Sequence, residues 1–318
     1  METFKPKIAI VGAGSVGSTY AYSLMISGLA REIVLIDQNE KLAKGESMDL
    51  NHGISFVHHT KIYAAGFEGC NDADIVVITA GAEQETGQSR TELAIENAAL
   101  FKEIIPEISK YAKNAILLVV SNPVDILTYV TLKISGFPAS RVIGSGTVLD
   151  TKRFKYMISE CCRVDIQNVH AYIIGEHGDS EFPVWSNATI SGIDIEKYCS
   201  LYARLNNGKN ELAQLFINIK NSAFEIIKAK GVANYSIALS LIKITKAIVR
   251  NENSILPVST LITDYYDISD VCISIPSIVN KLGVEQYLKL ELSEHEQSLF
   301  QHSANTIKMI IKQSTYTH

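Results

Sequence analysis

No apolar run in the 318 residues approaches the ~20 needed to cross a bilayer. The five cysteines, Cys70, Cys161, Cys162, Cys199 and Cys272, are odd in number and show neither a C-x-x-C pair nor a disulfide-scaffold spacing. They read as reduced thiols of a cytosolic protein. Neither sign of charge dominates: 29 basic against 34 acidic residues, in no long blocks, give a net charge of −5. That excludes the basic footprint expected for nucleic-acid backbones or anionic membranes, and points to a small-molecule partner. The eight histidines, the His58-His59 pair included, show no metal-ligand spacing. Internal repeats and low-complexity stretches are also lacking. Met1 to Pro6 carries charge at Glu2 and Lys5 and leads straight into a strand pattern, which leaves no room for a signal peptide. The expected location is the cytoplasm.

What is present is an apolar, evenly patterned chain, 47% hydrophobic and 20% charged, long enough for two domains. From Lys7 to about Gly146, short β-branched runs alternate with longer segments of helical period, the pattern of a parallel sheet covered by helices. Strands are expected at Lys7–Val11, Ile33–Ile36, Lys61–Ala65, Asp74–Ile78 and Ala115–Val119. Helices are expected at Val16–Ser27, Glu40–Met48, Glu92–Tyr111 and Asp125–Ser135, with Pro106 kinking or dividing the third. After Gly146 the alternation fails: a helix near Thr151–Cys162, a short strand His170–Ile174, and longer helices from Asn210 onward suggest an α+β unit. Its last helix starts at Ser293, where Ser-Glu-His-Glu forms a capping box. The fold class is therefore α/β, with a doubly wound parallel sheet in residues 1–146 and an α+β domain in residues 147–318.

The segment Ile8-Ala-Ile-Val-Gly12-Ala-Gly14-Ser-Val-Gly17 sets a glycine triplet between an apolar strand and a helix, where a cofactor pyrophosphate meets helix N-terminal amides. Glycines at strand-helix turns are also common for steric reasons. Asp37, 20 residues beyond Gly17 and at the end of the second strand, supplies a carboxylate for adenosine ribose hydroxyls and repels a 2′-phosphate, favouring NAD over NADP. The plain alternative is a solvated helix-capping aspartate.

His177 stands between glycines in Gly175-Glu-His177-Gly178-Asp, directly after an apolar strand, and so belongs on a loop rim. Imidazole titrates near neutrality and can give a proton to a substrate oxygen and take it back, although a loop histidine is more often an ordinary polar residue. Asp150 and Arg153, three apart at a helix start, share a face. The carboxylate could fix the tautomer of an imidazole and the guanidinium could grip a substrate carboxylate, or the two form only a local cap and pair. Thr79 to Arg90 reads as a polar, glycine-bearing lid at the carboxyl edge of the sheet, from which Arg90 could polarise a ketone oxygen. Asn122, in Ser121-Asn122-Pro123-Val124-Asp125, could donate to a substrate oxygen or the nicotinamide ribose, or be a turn residue without function.

Taken together and in this order, these segments resemble the L-lactate/malate dehydrogenase family over almost the whole chain. The resemblance implies that residues 1–146 are a Rossmann NAD-binding domain and residues 147–318 carry the substrate. It implies that His177 is the proton donor and acceptor, Asp150 its partner, Arg153 the carboxylate anchor and Arg90 the lid arginine. Val16, Gly81, Ala82, Ser121, Asn122 and Ser145 join the glycine triplet and Asp37 at the cofactor. Gln84 occupies the position where malate dehydrogenases carry arginine, which implies an uncharged substrate side chain, pyruvate/L-lactate being the commonest. Ala233 replaces a threonine usual in lactate dehydrogenases and would enlarge the pocket for longer 2-oxo acids. Lys155 and His170 match a fructose 1,6-bisphosphate effector site, with lysine where the family's activated members carry arginine. A homotetramer is implied by the same likeness. The competing reading of another class is an NAD-binding protein that keeps the fold without turnover.

Overall fold

The computed structural model describes residues 5–82, 88–202, 214, 216, 217, 220 and 225–316. Five parallel strands form where β-branched runs were expected, β1 (Lys7–Val11), β2 (Glu32–Ile36), β3 (Lys61–Ala64), β4 (Ile75–Ile78) and β5 (Ile116–Val119), and a sixth, β6 (Val142–Gly144), forms where none was expected. Their order is β6-β5-β4-β1-β2-β3, so the chain reverses its direction of travel between β1 and β4. That switch opens a crevice at the carboxyl ends of the two strands. Alternate residues serve opposite faces. Ile8 and Ile10 of β1 join one buried cluster with Ile33, Leu35 and Val77, and Ala9 and Val11 join another with Val34, Val76 and Ile78. A strand buried on both faces has no polar side, which is why these runs read as continuously apolar.

The covering helices are α1 (Ser15–Ser27), α2 (Glu40–His52), α3 (Arg90–Tyr111) and α4 (Val124–Ser135). Two of the four starts carry side-chain caps. Asn39 accepts from the Leu42 amide at α2, and Ser89 and Glu92 form a reciprocal capping box at α3. Pro106 does not divide α3, which runs through it unbroken. Proline removes one ladder hydrogen bond, but Phe101, Ile104, Ile105 and Ile108 are all buried around it, and their packing holds the turn.

The later half is α5 (Val148–Cys162), α6 (Ile195–Leu201), α7 (Tyr235–Val249) and α8 (Glu294–Tyr316), with strands β7 (Val169–His170), β8 (Ile173–Ile174), β9 (Phe182–Pro183), β10 (Thr189–Ile190), β11 (Ile193–Asp194), β12 (Ser254–Ile262), β13 (Val271–Asn280) and β14 (Gly283–Tyr287). The single strand expected at His170–Ile174 is two strands in two different sheets, β7 against β10 and β8 against β9. The Ile173 amide turns instead to the Thr151 hydroxyl, 2.9 Å away on α5. The capping box at α8 forms as expected between Ser293 and Glu296. Asn210 lies outside the described residues.

The hairpin β12-β13 went unread in the sequence. Pro257 and Pro276 interrupt its two runs and ordinarily demote a strand to an edge, yet they sit opposite one another in register. Neither offers the other an N–H, and each carbonyl accepts from elsewhere, Pro257 from the Thr147 amide at 3.1 Å and Pro276 from the Leu288 amide at 2.8 Å. Through Ser259 opposite Gly144, β12 joins β6 and extends the parallel sheet with three antiparallel strands to nine in all. Among the described residues no helix is long and apolar enough to cross a membrane.

Candidate active site

The loop from β1 into α1 is built by close approach. Gly12 adopts a φ of +107°, and a Cβ there would lie 2.6 Å from the Ala80 amide, while one on Gly17 would run into the Gly12 carbonyl. Only glycine fits at either position. Gly14 caps α1 without any side-chain hydrogen bond and without an acidic residue in the first turn, and a Cβ on it would meet nothing within 4 Å. An uncovered helix N-terminus facing open space suits an anion. Val16 packs against the neighbouring core. Asp37 directly follows β2, with Oδ2 accepting from the Ala13 amide at 2.7 Å and Oδ1 from the Asn39 amide at 2.8 Å. Its carboxylate is thereby held against the glycine loop, with lone pairs to spare for further donors. These features fit a dinucleotide.

Gly81, Ala82, Ser121, Asn122 and Ser145 gather at the carboxyl ends of β4, β5 and β6. The Ser121 hydroxyl donates to the Ala80 carbonyl at 2.6 Å, and the Ser145 amide to the Val119 carbonyl at 2.8 Å. Asn97, on α3 and 1% exposed, was not anticipated from the sequence. Its Oδ1 accepts from the Ala82 amide at 2.8 Å, and its Nδ2 donates to the Ala82 and Asn122 carbonyls at 3.3 and 2.8 Å. One buried amide thus fixes both turns to the helix that Arg90 begins. A polar residue on the apolar stripe Leu93-Ala94-Asn97-Ala98-Phe101 was the available signal.

The structure brings His177, Asp150, Arg153 and Arg90 together. His177 Nδ1 lies 2.7 Å from Asp150 Oδ2, and Arg153 Nη1 lies 3.2 Å from Asp150 Oδ1. Arg90 Nη2 donates to the His177 carbonyl at 2.7 Å, and its Nε lies 3.4 Å from Glu176 Oε1. The loop holding the imidazole is pinned from below: the His177 amide donates to Asp125 Oδ2 at 2.7 Å, and the Glu176 amide to the Ser303 hydroxyl at 2.7 Å. Asp125, buried at the start of α4, stood in the sequence only as the end of a turn. A carboxylate two residues after a proline and inside an apolar helix was the cue.

Burial disfavours the charged imidazolium, but the Asp150 charge and hydrogen bond outweigh it and push His177 up to about 9. Burial pushes the Asp150 carboxyl up, and the charge of His177, its hydrogen bond and Arg153 pull it back further, to a net position below its ordinary value. Because Asp150 is held ionised, it accepts and Nδ1 donates, which leaves Nε2 to exchange a proton with an outside partner. Burial likewise raises Asp125 to about 6. The arrangement can hold, deliver and recover a proton beside two guanidinium groups.

Gly178 lies directly beneath the Arg90 guanidinium, and a Cβ there would collide with its terminal atoms. Backbone strain is not at issue. Gly178→Ala should therefore leave folding intact and push Arg90 away, lowering kcat/KM for a 2-oxo acid by about tenfold or more. An unaltered kcat/KM would show that Arg90's place over Gly178 is immaterial.

Lys155 and His170 line one pocket with Thr151, Lys152, Tyr172 and Pro257. Lys152 was not anticipated there. Burial, and then the charge of Lys243 for Lys152 and of Lys152 for Lys155, lowers the proton affinity of both lysines. Ala233 is buried just before α7, and Asn234 beside it donates to the Thr19 hydroxyl at 2.9 Å. Gln84 lies outside the described residues.

Residues 6–144 match the family model for the lactate/malate dehydrogenase NAD-binding domain, and residues 147–317 match that for the lactate/malate dehydrogenase alpha/beta C-terminal domain. The chain belongs to the lactate/malate dehydrogenase family. Within that family it is 53% identical over 308 residues to the L-lactate dehydrogenase of Acetivibrio thermocellus, covering 96% of each chain. It is 48% identical to L-lactate dehydrogenase 1 of Clostridium acetobutylicum over 95% of this chain and 96% of the relative. A crystal structure of a lactate dehydrogenase from a Medee basin deep-sea metagenome library superposes with a TM-score of 0.94 at 43% identity, over 98% of this chain and 99% of that one. The minor L-lactate dehydrogenase of Enterococcus mundtii superposes at 0.92 with 40% identity, over 97% and 98%.

Proposed function

We propose that the chain is an L-lactate dehydrogenase that interconverts pyruvate and L-lactate with NAD as cofactor. The observation that carries this is the Asp150 carboxylate, paired on one oxygen with an imidazole and on the other with a guanidinium. In the reductive direction, protonated His177 gives the Nε2 proton to the C2 oxygen of pyruvate while Asp150 steadies the ring. Arg153 holds the substrate carboxylate with the fork atoms left free by its single bond to Asp150. Arg90 offsets the negative charge that grows on the C2 oxygen, and Asn122 donates to it or to the nicotinamide ribose. When bound, the nicotinamide supplies the hydride that reaches C2. Gly12, Gly14, Val16, Gly17 and Asp37 would hold its pyrophosphate and adenosine ribose, and Gly81, Ala82, Ser121 and Ser145 its other end.

Residues 1–146 form the cofactor half and residues 147–318 the substrate half of this reading. An uncharged Gln84 favours pyruvate over oxaloacetate, and the small Ala233 leaves room for longer 2-oxo acids. The pocket lined by Lys152, Lys155 and His170 supports fructose 1,6-bisphosphate as an effector. Exposed Tyr22, Tyr235 and Leu239 around one cleft support self-association; a homotetramer in the cytoplasm is proposed on the family resemblance alone.

The test is NADH oxidation with pyruvate, oxaloacetate, 2-oxoisocaproate and phenylpyruvate, with and without fructose 1,6-bisphosphate. Pyruvate should give the highest kcat/KM, and the bisphosphate should lower its KM. A higher value for a bulkier acid would reassign the substrate, and no oxidation with any of them would overturn the enzymatic reading.

A further inference from the structure

Four residues after the imidazole, on the same loop, Glu181 is 7% exposed. Its Oε2 lies 3.9 Å from His177 Nδ1, and among the described residues its carboxyl makes no side-chain hydrogen bond. The donor atoms of Asp150, His177 and Glu181 fall within 4.8 Å of one another. Burying an acid without a hydrogen-bonding partner is costly, and the role assigned to Asp150 neither needs it nor explains it. Resting on the dehydrogenase reading, we propose that Glu181 is a positioning residue for the proton step: a second carboxyl that acts, with Asp150, on the Nδ1 edge of His177 and keeps the proton on the ring.

The charges around it fix the sign. Asp150 and Arg153 of α5, Lys220 and the ring itself act on Glu181. Asp150, Glu181 and Arg90, at the start of α3, act on the ring, which also faces Asp125 at the start of α4, itself beside Glu176. Burial, then the Asp150 charge, holds the Glu181 carboxyl up at about 8, against the opposing pull of His177, Lys220 and Arg153. Glu181 is thus largely neutral at pH 7 and ionises as the pH rises towards the value at which His177 gives up its proton, about 9. Each increment of charge on Glu181 then favours the imidazolium, because opposite charges ~4 Å apart attract strongly at protein dielectric. The effect arrives only in the alkaline range, where pyruvate reduction would otherwise fail for want of a protonated ring.

The experiment is the pH profile of kcat/KM for pyruvate reduction by wild type, Glu181→Gln and Glu181→Asp, from about pH 6 to about pH 10. The alkaline fall should move down by about one pH unit in Glu181→Gln, with the plateau below it within about threefold of wild type. Glu181→Asp should restore most of the shift. An alkaline fall that stays in place overturns the proposal, as does a uniform loss at every pH, which is what a merely structural carboxyl would give. Direct titration of the His177 ring by carbon NMR, in Glu181→Gln and in a smaller Glu181→Ser variant, reads the same displacement without turnover. It therefore separates failure of this inference from failure of the dehydrogenase reading: a ring titrating alike in all variants refutes the inference even in an active enzyme.

Discussion

Replacing His177 with asparagine should lower kcat for pyruvate reduction by about a thousandfold while NADH affinity, read by protein-to-cofactor fluorescence transfer, stays within about twofold. General acid catalysis contributes ~10²–10⁴ to a rate, and the side chain lost is the imidazole whose Nδ1 is engaged by Asp150, leaving Nε2 for the substrate. Asparagine is close in size and can still meet Asp150 Oδ2 with its amide, so the carboxylate is not left bare and the loop keeps its anchors at Asp125 and Ser303. The loss should be confined to kcat and kcat/KM. Turnover near the wild-type rate would remove His177 from the chemistry.

Arg153→Lys should raise KM for pyruvate by about a hundredfold and lower kcat less. Lysine keeps the charge and, from the same helix face, can still reach Asp150. It cannot offer two parallel donors to a carboxylate, and a charge-assisted pair of that kind accounts for roughly 1.5–3 kcal/mol per bond. Because lysine keeps a positive charge beside Asp150, the alkaline fall of pyruvate reduction should stay near its wild-type position while KM rises. A KM unchanged from wild type would assign the substrate carboxylate to another group.

Most of the parallel half was legible because its strands are buried on both faces and read as continuously apolar runs, although the short β6 was missed. In the later half, Ser293 with Glu296 marked the last helix in advance, whereas the Ser89–Glu92 box that starts α3 went unread. The antiparallel strands were not legible, because prolines at 257 and 276 break the periodicity that a strand should show, and their cross-strand pairing is visible only in three dimensions. In the candidate site, His177, Asp150, Arg153 and Arg90 stood out through motif and spacing. Asn97, Asp125 and Glu181 did not, since each is one polar residue in an apolar or ordinary context, and what gives it meaning is the identity of its partners 15 to 52 positions away or across the loop.

The pairing of β12 with β6 bears on how substrate preference can change in this scaffold. Gly146 is packed so tightly that a Cβ would lie 2.6 Å from the Ser259 amide and 2.7 Å from the Pro257 carbonyl, and the chain passes from there directly into the helix bearing Asp150 and Arg153. The floor under the imidazole is thus continuous with the strands that end at the glycine loop, and tilting one against the other would tear backbone hydrogen bonds. New selectivity has to be acquired by exchanging individual side chains along the rim, leaving the spacing between proton source and cofactor cleft inherited unchanged.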